Sequence, residues 1–494
     1  MPSLQRPSIT LNISPSITKP SIEHRVLIIG EIGDTSTVET NKVIKDIQLT
    51  DIDIFGKDSQ LYYAIQKFKS INKLNILDVL PIAKGSSKST SDITITGTAT
   101  KNNKLTFTLN NNFVEVVVNN SDSDITIATN LESALNANSY FTDVFTISRT
   151  DNKVTLETKQ PSATLNNQTG VITLDNLDNG ITNTISYFSG GASSTLPDNY
   201  LFDILDERYN SIIYDYSLGL NAVRVYLEAQ FNLLNKINDG VGFTTIKDTL
   251  FNFKSIVNSQ NYKTQVIFGN ICQMDYNVFS LVATSEIVAI RALRLTDKAT
   301  IANYVSQNIE TFGGISLASL PYFNTPLSFP KPNGCINEED LINVINAGGS
   351  LWVNNGITVL SEVVTTYKTN NLGDEDKSFK YLNYVDTLSV IREYLTIGLR
   401  KRYAQVRLTD GNLIPNKSIT NKGAIKASII KYLNELADLA LVRKGLDKFI
   451  SDNLIITEDL ETDTITFNCK VPIVVQLRNI QGNIIEVLEI ESSI

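Results

Sequence analysis

The stretch TTYKTNNLGDEDKSFKYLNYVDTLSVIREYL, Thr365 to Leu395, joins three kinds of local structure. A β-branched run runs into an Asn/Gly turn, an acidic cluster follows, and an amphipathic pattern closes it. Val385, Leu388, Ile391, Leu395 and Leu399 recur every three or four residues, which predicts a helix from Asn383 to about Arg402 with one buried stripe. Asp374, Glu375 and Asp376 beside Gly373 pose the question of function, because grouped carboxylates serve metal loops, acid/base sites and polar joints alike. An EF-hand requires acids at alternate positions with glycine sixth and glutamate twelfth. Here Gly373 precedes the acids, so the cluster reads as a solvated turn.

Outward from this stretch, 494 residues exceed one ordinary core and suggest about three domains. The 42% hydrophobic share fits a folded chain, and the net charge of -9 argues against a nucleic-acid partner. No apolar run approaches the roughly 20 residues that cross a bilayer, and MPSLQRPSITLNISPSITKP lacks the apolar middle of a signal peptide. A chain made and kept in the cytoplasm until it assembles is expected. Cys272, Cys335 and Cys469 are sparse and distant, which predicts reduced thiols.

Residues 1–24 carry Pro2, Pro7, Pro15 and Pro20 around an alternation of Ile9, Leu11 and Ile13, an extended arm without a local partner. RVLIIGEIG (25–33) is a covered strand. Residues 86–191 read as an inserted, mostly β module of four strand-like runs and one helix, Ala128 to Asn138, edged by KGSSKSTSD and SGGASSTLPDN. Residues 25–85 with 192–340 form an α/β domain, and 341–470 a C-terminal inner domain containing a second long helix, Gly423 to Ile450. The end, 471–494, is strand-like around Gln481-Gly482-Asn483, with Val475, Leu477, Ile485 and Val487 as its apolar positions. The fold class expected is multidomain α+β or α/β with a mixed-sheet core, terminal strand arms and an outer β module. Arms of this kind complete a neighbour's sheet.

Catalytic chemistry finds no support. Gly30 and Gly33 lack the GxGxxG spacing; His24, the only histidine, has no nucleophile motif beside it. Arg400-Lys401-Arg402 offsets a helix dipole, and Trp352 reads as core. No catalytic, metal or cofactor site is assigned.

The segment Gly348 to Asp410 resembles the tail sheath proteins of contractile phages, and most of all their Mu-type branch. The pattern is a strand ending in Thr-Thr-Tyr-x-Thr-Asn, a Gly-Asp turn, then a helix with VDTLSVIREYL. It falls on Thr365, Thr366, Tyr367, Thr369, Asn370, Gly373, Asp376, Val385, Asp386, Thr387, Leu388 and Arg392. The resemblance implies a non-enzymatic virion tail subunit, assembled in the host cytoplasm, forming hexameric rings stacked helically around a tail tube, with baseplate and tail terminator proteins as further partners and no membrane insertion. It implies that both arms exchange strands between subunits, and that a helix of the inner domain touches the tube. The cations Lys426, Lys431, Arg443, Lys444 and Lys448 of the second long helix are the candidates. The sheath of a phage-like bacteriocin or injection system is an alternative, and a β-rich adhesin or carbohydrate-binding protein a more distant one.

Overall fold

The computed structural model describes residues 24–110, 112–176, 178–231, 237–271, 279–296, 322–328, 336–409, 411, 413, 418–445, 447–459 and 464–475. Ile9, Leu11, Ile13, Leu477, Ile485 and Val487, with Cys272 and Cys335, lie outside them.

In chain order, β1 (Arg25–Glu31), α1 (Gln60–Ile71) and β2 (Ile76–Ile82) come first. They are followed by β3 (Thr90–Gly97), β4 (Asn103–Leu109), β5 (Asn112–Val118), α2 (Asp124–Ala137), α3 (Ser139–Val144), β6 (Phe145–Thr150), β7 (Lys153–Thr158), β8 (Val171–Leu174) and β9 (Ile181–Ile185). Next are α4 (Tyr200–Ile204), β10 (Ser211–Tyr214), α5 (Asn221–Gln230), β11 (Val241–Lys247), α6 (Leu250–Asn258), β12 (Gln265–Asn270) and α7 (Ser280–Leu295). After α8 (Glu338–Ala347), β13 (Ser350–Asn355) and β14 (Ile357–Leu360), the chain continues through α9 (Leu382–Tyr403), β15 (Arg407–Leu408), β16 (Ile419–Thr420), α10 (Lys422–Asp438), α11 (Asp447–Asn453), β17 (Leu454–Asp459) and β18 (Thr464–Cys469).

The body is a mixed sheet of seven strands ordered β14-β13-β12-β11-β10-β1-β2, parallel except for the β13–β14 hairpin. Its strands are buried along most of their length because both faces are covered. Val26, Ile28, Val79, Phe243 and Phe268 pack towards α1 and α7. Leu27, Ile29, Leu80 and Ile212 face α4 and α5, while Ile246, Ile267 and Leu351 face α6 and α8. Both sheet edges are closed by irregular chain: Ile44 bridges Val79, and Pro326 bridges Val359. An edge so covered offers no template for another strand.

Between β2 and β10 lie two antiparallel sheets, β6-β7-β3-β9 and β5-β4-β8, around α2 and α3. Ile93, Leu105, Phe107, Leu131, Phe141, Phe145 and Leu156 are buried among them. KLTFTLNNNFVEVVVNN, read as one strand, is a hairpin: Asn110 takes a positive φ of 50°, which asparagine tolerates, and β4 turns back as β5. The helix starts at Asp124, earlier than read, because the Ser123 hydroxyl accepts from the Thr126 N–H as an N-cap.

In the C-terminal part α9 packs on α10 through Ile391, Leu395, Ile429, Leu433 and Leu436. The second long helix is not continuous. It ends at Asp438, with Ala440 left-handed (φ 55°) and the Leu441 N–H closing onto the Leu436 carbonyl. The break turns Leu441 and Val442 into the core, where a straight helix would have carried that stretch past it. Arg443, Lys444 and Lys448 therefore leave the helix that holds Lys426 and Lys431.

Candidate functional site

The segment that raised the question of function is built in two parts, a loop joint and the helix α9. In the joint, Thr365 and Thr366 are fully buried. The stretch is not a regular strand, as expected, but an extended run pinned by isolated bonds. The Thr366 N–H donates to the Gln265 carbonyl (2.9 Å), and its hydroxyl accepts from the Tyr262 N–H (3.0 Å). The Thr365 hydroxyl donates to the Phe379 carbonyl (2.7 Å). Beside them Asn261 accepts from the N–H groups of Lys368 and Thr369 and donates back to the Thr369 hydroxyl oxygen (2.9 Å). Polar side chains that satisfy backbone groups in this way replace a sheet ladder.

Lys368, the unspecified position of the family pattern, has the most consequential contacts. Its ammonium donates to the carbonyls of Val257 (3.2 Å), Asn258 (2.9 Å) and Ala347 (3.2 Å). Those are the last residues of α6 and α8, whose carbonyls have no helical partner and carry the negative ends of two helix dipoles. Burial lowers the Lys368 pKa.

The turn itself is an asparagine cap. Asn370 Oδ1 accepts from the N–H groups of Leu372 (2.9 Å) and Asp374 (3.0 Å), and Gly373 supplies φ 87°. Asp376 is engaged inside the joint: it accepts from the Tyr367 hydroxyl (2.7 Å) and from the Ser378 hydroxyl (2.6 Å). Ser378, and then Tyr367, hold its carboxyl below the usual range. Tyr367, edge-on to Phe379, is pushed up to about 12 by burial and by Asp376. Glu375 faces Lys377 at 3.2 Å. Among the described residues no group of three or more His, Cys, Asp or Glu is arranged to hold a metal.

The helix α9 is fastened by charge. Asp386, 1% exposed, takes Arg291 Nη2 at 2.5 Å and the Tyr322 hydroxyl at 2.6 Å. Arg291 also donates to the Asn210 carbonyl (3.0 Å) and to Ser211. One turn and a half along, Arg392 pairs with Asp239, and Arg208 reaches Glu393 at 2.8 Å. Three arginines thus meet three carboxylates where α9 crosses the amino ends of β10 and β11. Arg291, Asp386 and Asp239 lost nearly all their hydration on burial, and their paired charges offset that loss together with hydrogen bonds such as those of Arg291 to Asn210 and Ser211. His24, where β1 begins, shares Ser211 with this cluster (3.2 Å); burial, then Arg291 and Arg208, depress its pKa and keep it neutral. Sequence reading placed Asp386 and Arg392 in the motif but missed Arg208, Asp239, Arg291, Tyr322 and Glu393. A signal existed in Arg291, a lone arginine inside the apolar run VATSEIVAIRAL.

The C-terminal cations do not form one face. Lys426 donates to the Ser451 carbonyl (2.8 Å), Lys431 sits 3.8 Å from Glu435, and Lys444 2.9 Å from Asp438. Arg443 holds the Pro472 and Ile473 carbonyls through its N–H and Nε, and Lys448 is exposed. Beyond them β17 and β18 form a two-stranded antiparallel ribbon with Ile455 and Phe467 exposed, and Val475 is half exposed at its side. Among the described residues no helix is long and apolar enough to cross a membrane.

No family model matches the chain. Its sequence is 23% identical over 438 residues to the Mu-like prophage FluMu tail sheath protein of Haemophilus influenzae, covering 86% of this chain and 85% of that protein. The sheath tail protein of Desulfitobacterium hafniense aligns in structure with TM-score 0.46 and 11% identity, over 94% of this chain and 100% of that one. A chain of the anti-feeding prophage baseplate in its contracted state aligns with TM-score 0.46 and 11% identity, over 99% and 100%. The sequence similarity extends far beyond Gly348–Asp410, and the chain is similar to a Mu-like prophage tail sheath protein over most of its length.

Proposed function

We propose that the chain is the structural subunit of a contractile tail sheath of the Mu-like type. It polymerises as stacked hexameric rings around a tail tube, bounded by baseplate and terminator proteins, and is assembled in the host cytoplasm into the virion tail. On triggering, the sleeve shortens and drives the tube through the target envelope. The role is mechanical, with the energy stored in the assembly and not drawn from a hydrolysed substrate. Similarity to a Mu-like prophage tail sheath protein, 23% identical over 438 residues, is the observation that carries this reading.

The local physics supports it. A two-stranded ribbon is marginal by itself, and β17–β18 is the two-stranded element with exposed apolar residues beside the C-terminal segment. Strands from neighbouring copies, the arm with Ile9, Leu11 and Ile13 and the segment with Val475, Leu477, Ile485 and Val487, complete it. The closed edges of the seven-stranded sheet exclude that sheet as the recipient. Load taken by the ribbon passes through α10 to α9, and from there through the Arg291–Asp386 cluster into the body. Identical contacts that do not close on themselves generate a helix of subunits. The tube-facing cations of this reading are Lys426, Lys431, Arg443, Lys444 and Lys448.

Negative-stain electron microscopy of the full chain, and of a variant lacking residues 1–20, each with and without the cognate tube protein, tests the proposal. Wide hollow sleeves from the full chain, lost on deletion, are expected. Monomers from the full chain under both conditions would refute it.

A further inference from the structure

The winding of the main sheet reverses between β1 and β10. The connection leaving β1 carries α1 to one face, and that leaving β10 carries α5 to the other. Open α/β sheets leave a crevice at such a point, outside the carboxyl ends of the strands. Here the inserted module fills it. Gln160 Nε2 donates to the carbonyls of Glu31 (3.0 Å) and Ile32 (3.3 Å), and its Oε1 accepts from the Gln60 N–H (3.2 Å). Ser162 donates to Glu31 Oε2, as does the Ser193 hydroxyl at 2.9 Å, and the Ser194 N–H reaches Oε1 at 2.7 Å. The two connecting strands run alongside, with the Gly85 N–H on the Pro161 carbonyl (2.7 Å) and the Ser86 N–H on the Ala192 carbonyl (2.9 Å). One buried carboxyl thus grips both the module and its return strand.

A second carboxyl faces it. Asp215, just past β10 and 6% exposed, accepts from the Ser217 N–H through Oδ1 (2.8 Å), and the Ser217 and Ser193 hydroxyl oxygens lie 2.8 Å apart. Asp215 Oδ2 is buried without a hydrogen-bond partner. Of the other charged groups on the packed elements, Lys247 at the end of β11 is mostly buried, and burial lowers its pKa to about 8. Lys84 pairs with Asp34, Asp58 accepts from the N–H groups of Asp34 and Thr35, and Lys159 donates to the Thr142 carbonyl. A buried carboxyl with a second carboxyl nearby does not ionise cheaply.

We propose that the Glu31 carboxyl, buried where β1 meets the inserted module, is a proton-dependent clasp whose ionisation loosens the attachment of the module to the sheet. Burial raises Glu31 to about 7, opposed by Ser162 and Ser194 and reinforced by the Asp215 charge. A carboxyl whose folded pKa is raised contributes most below its ordinary value near 4.5, and that contribution is lost as the pH rises through 7. The attachment is therefore tightest near pH 5, the reverse of ordinary acid loosening. This inference does not depend on the sheath reading.

The test is hydrogen exchange of the full chain at pH 5.5 to 8.5, with protection factors corrected for intrinsic rates. The reporters are Gly85, Ser86 and Ala192. Protection falling by roughly tenfold to a few hundredfold across that range is expected, the upper figure set by the size of the shift. Glu31→Gln should be flat in pH and protected as at pH 5.5. Asp215→Asn, which removes the repelling charge, should move the midpoint to lower pH. Equal pH dependence in wild type and in whichever variants fold overturns the proposal. So does protection at pH 8 restored by millimolar Ca²⁺ or Mg²⁺ and abolished by EDTA, which would make the pair a cation site.

Discussion

Removing the carboxylate of Asp386 should cost more stability than any other single change in the motif segment. Asp386→Ala leaves the Arg291 guanidinium, on a residue 4% exposed, with the Asn210 carbonyl and Ser211 as partners but no counter-charge, and it strips the Tyr322 hydroxyl of its acceptor. Breaking a buried ion pair from one side costs about 3–5 kcal/mol, and the orphaned tyrosine hydroxyl about 1 kcal/mol within that range. The folding equilibrium should shift by roughly a hundred- to a few thousandfold. Trp352 is the single tryptophan, 3% exposed and in the same core as Leu382 and Val385, so its fluorescence in a urea titration reports this junction. Arg291→Met combined with Asp386→Leu should recover at least half of the loss, because it removes the desolvated charges together. A loss under about 1 kcal/mol for Asp386→Ala would refute the view that α9 is held by charge. So would a double variant worse than the single one.

Other perturbations have equally definite outcomes. Lys368→Met should cost about 1–3 kcal/mol by freeing three helix-terminal carbonyls, seen as faster amide exchange in the last turns of α6 and α8. Because Asp376 is held below its ordinary value of 3.8, the contribution of the joint is present at neutral pH and lost as the pH falls below that value; Asp376→Asn should abolish this dependence in exchange rates of residues 367–378. Ala440→Gly should stabilise by about 0.5–1 kcal/mol, since alanine there adopts a left-handed φ of 55°, and a lower urea midpoint would contradict the helix-end geometry. Arg443→Glu with Lys444→Glu should leave the monomer folded and abolish decoration of purified tubes; normal decoration would remove these residues from the tube contact.

Much of the segment's architecture was legible without coordinates, for a reason that is local in every case. The stripe Val385, Ile391, Leu395 repeats at helical spacing, and the structure places a helix at Leu382–Tyr403. RVLIIGEIG carries the unbroken apolar run Val26–Ile29 because it is covered on both faces, and it holds β1, beside the edge strand β2 of the sheet. Asn370 and Gly373 carry turn chemistry in their own side chain and backbone. The motif from Gly348 to Asp410 was enough to indicate the family of the relative that matches 438 residues.

What the sequence could not determine depends on groups brought together from far along the chain. The break after Asp438 follows from Leu441 and Val442 being pulled into a core shared with α9, a preference that helix propensity does not contain. It separates Lys426 and Lys431 from Arg443, Lys444 and Lys448, which a continuous helix would have kept together. The partners of Asp386 are 95 and 64 residues away, and those of Glu31 more than 130. A buried charge declares itself in sequence as an isolated acid or base in an apolar run, but its counter-charge is chosen by tertiary packing. For that reason the carboxylates that looked functional, at 374–376, belong to a turn. The carboxyls that bear on how the domains hold together, Glu31, Asp215 and Asp386, became visible only when the sheet, the inserted module and α9 were brought into contact.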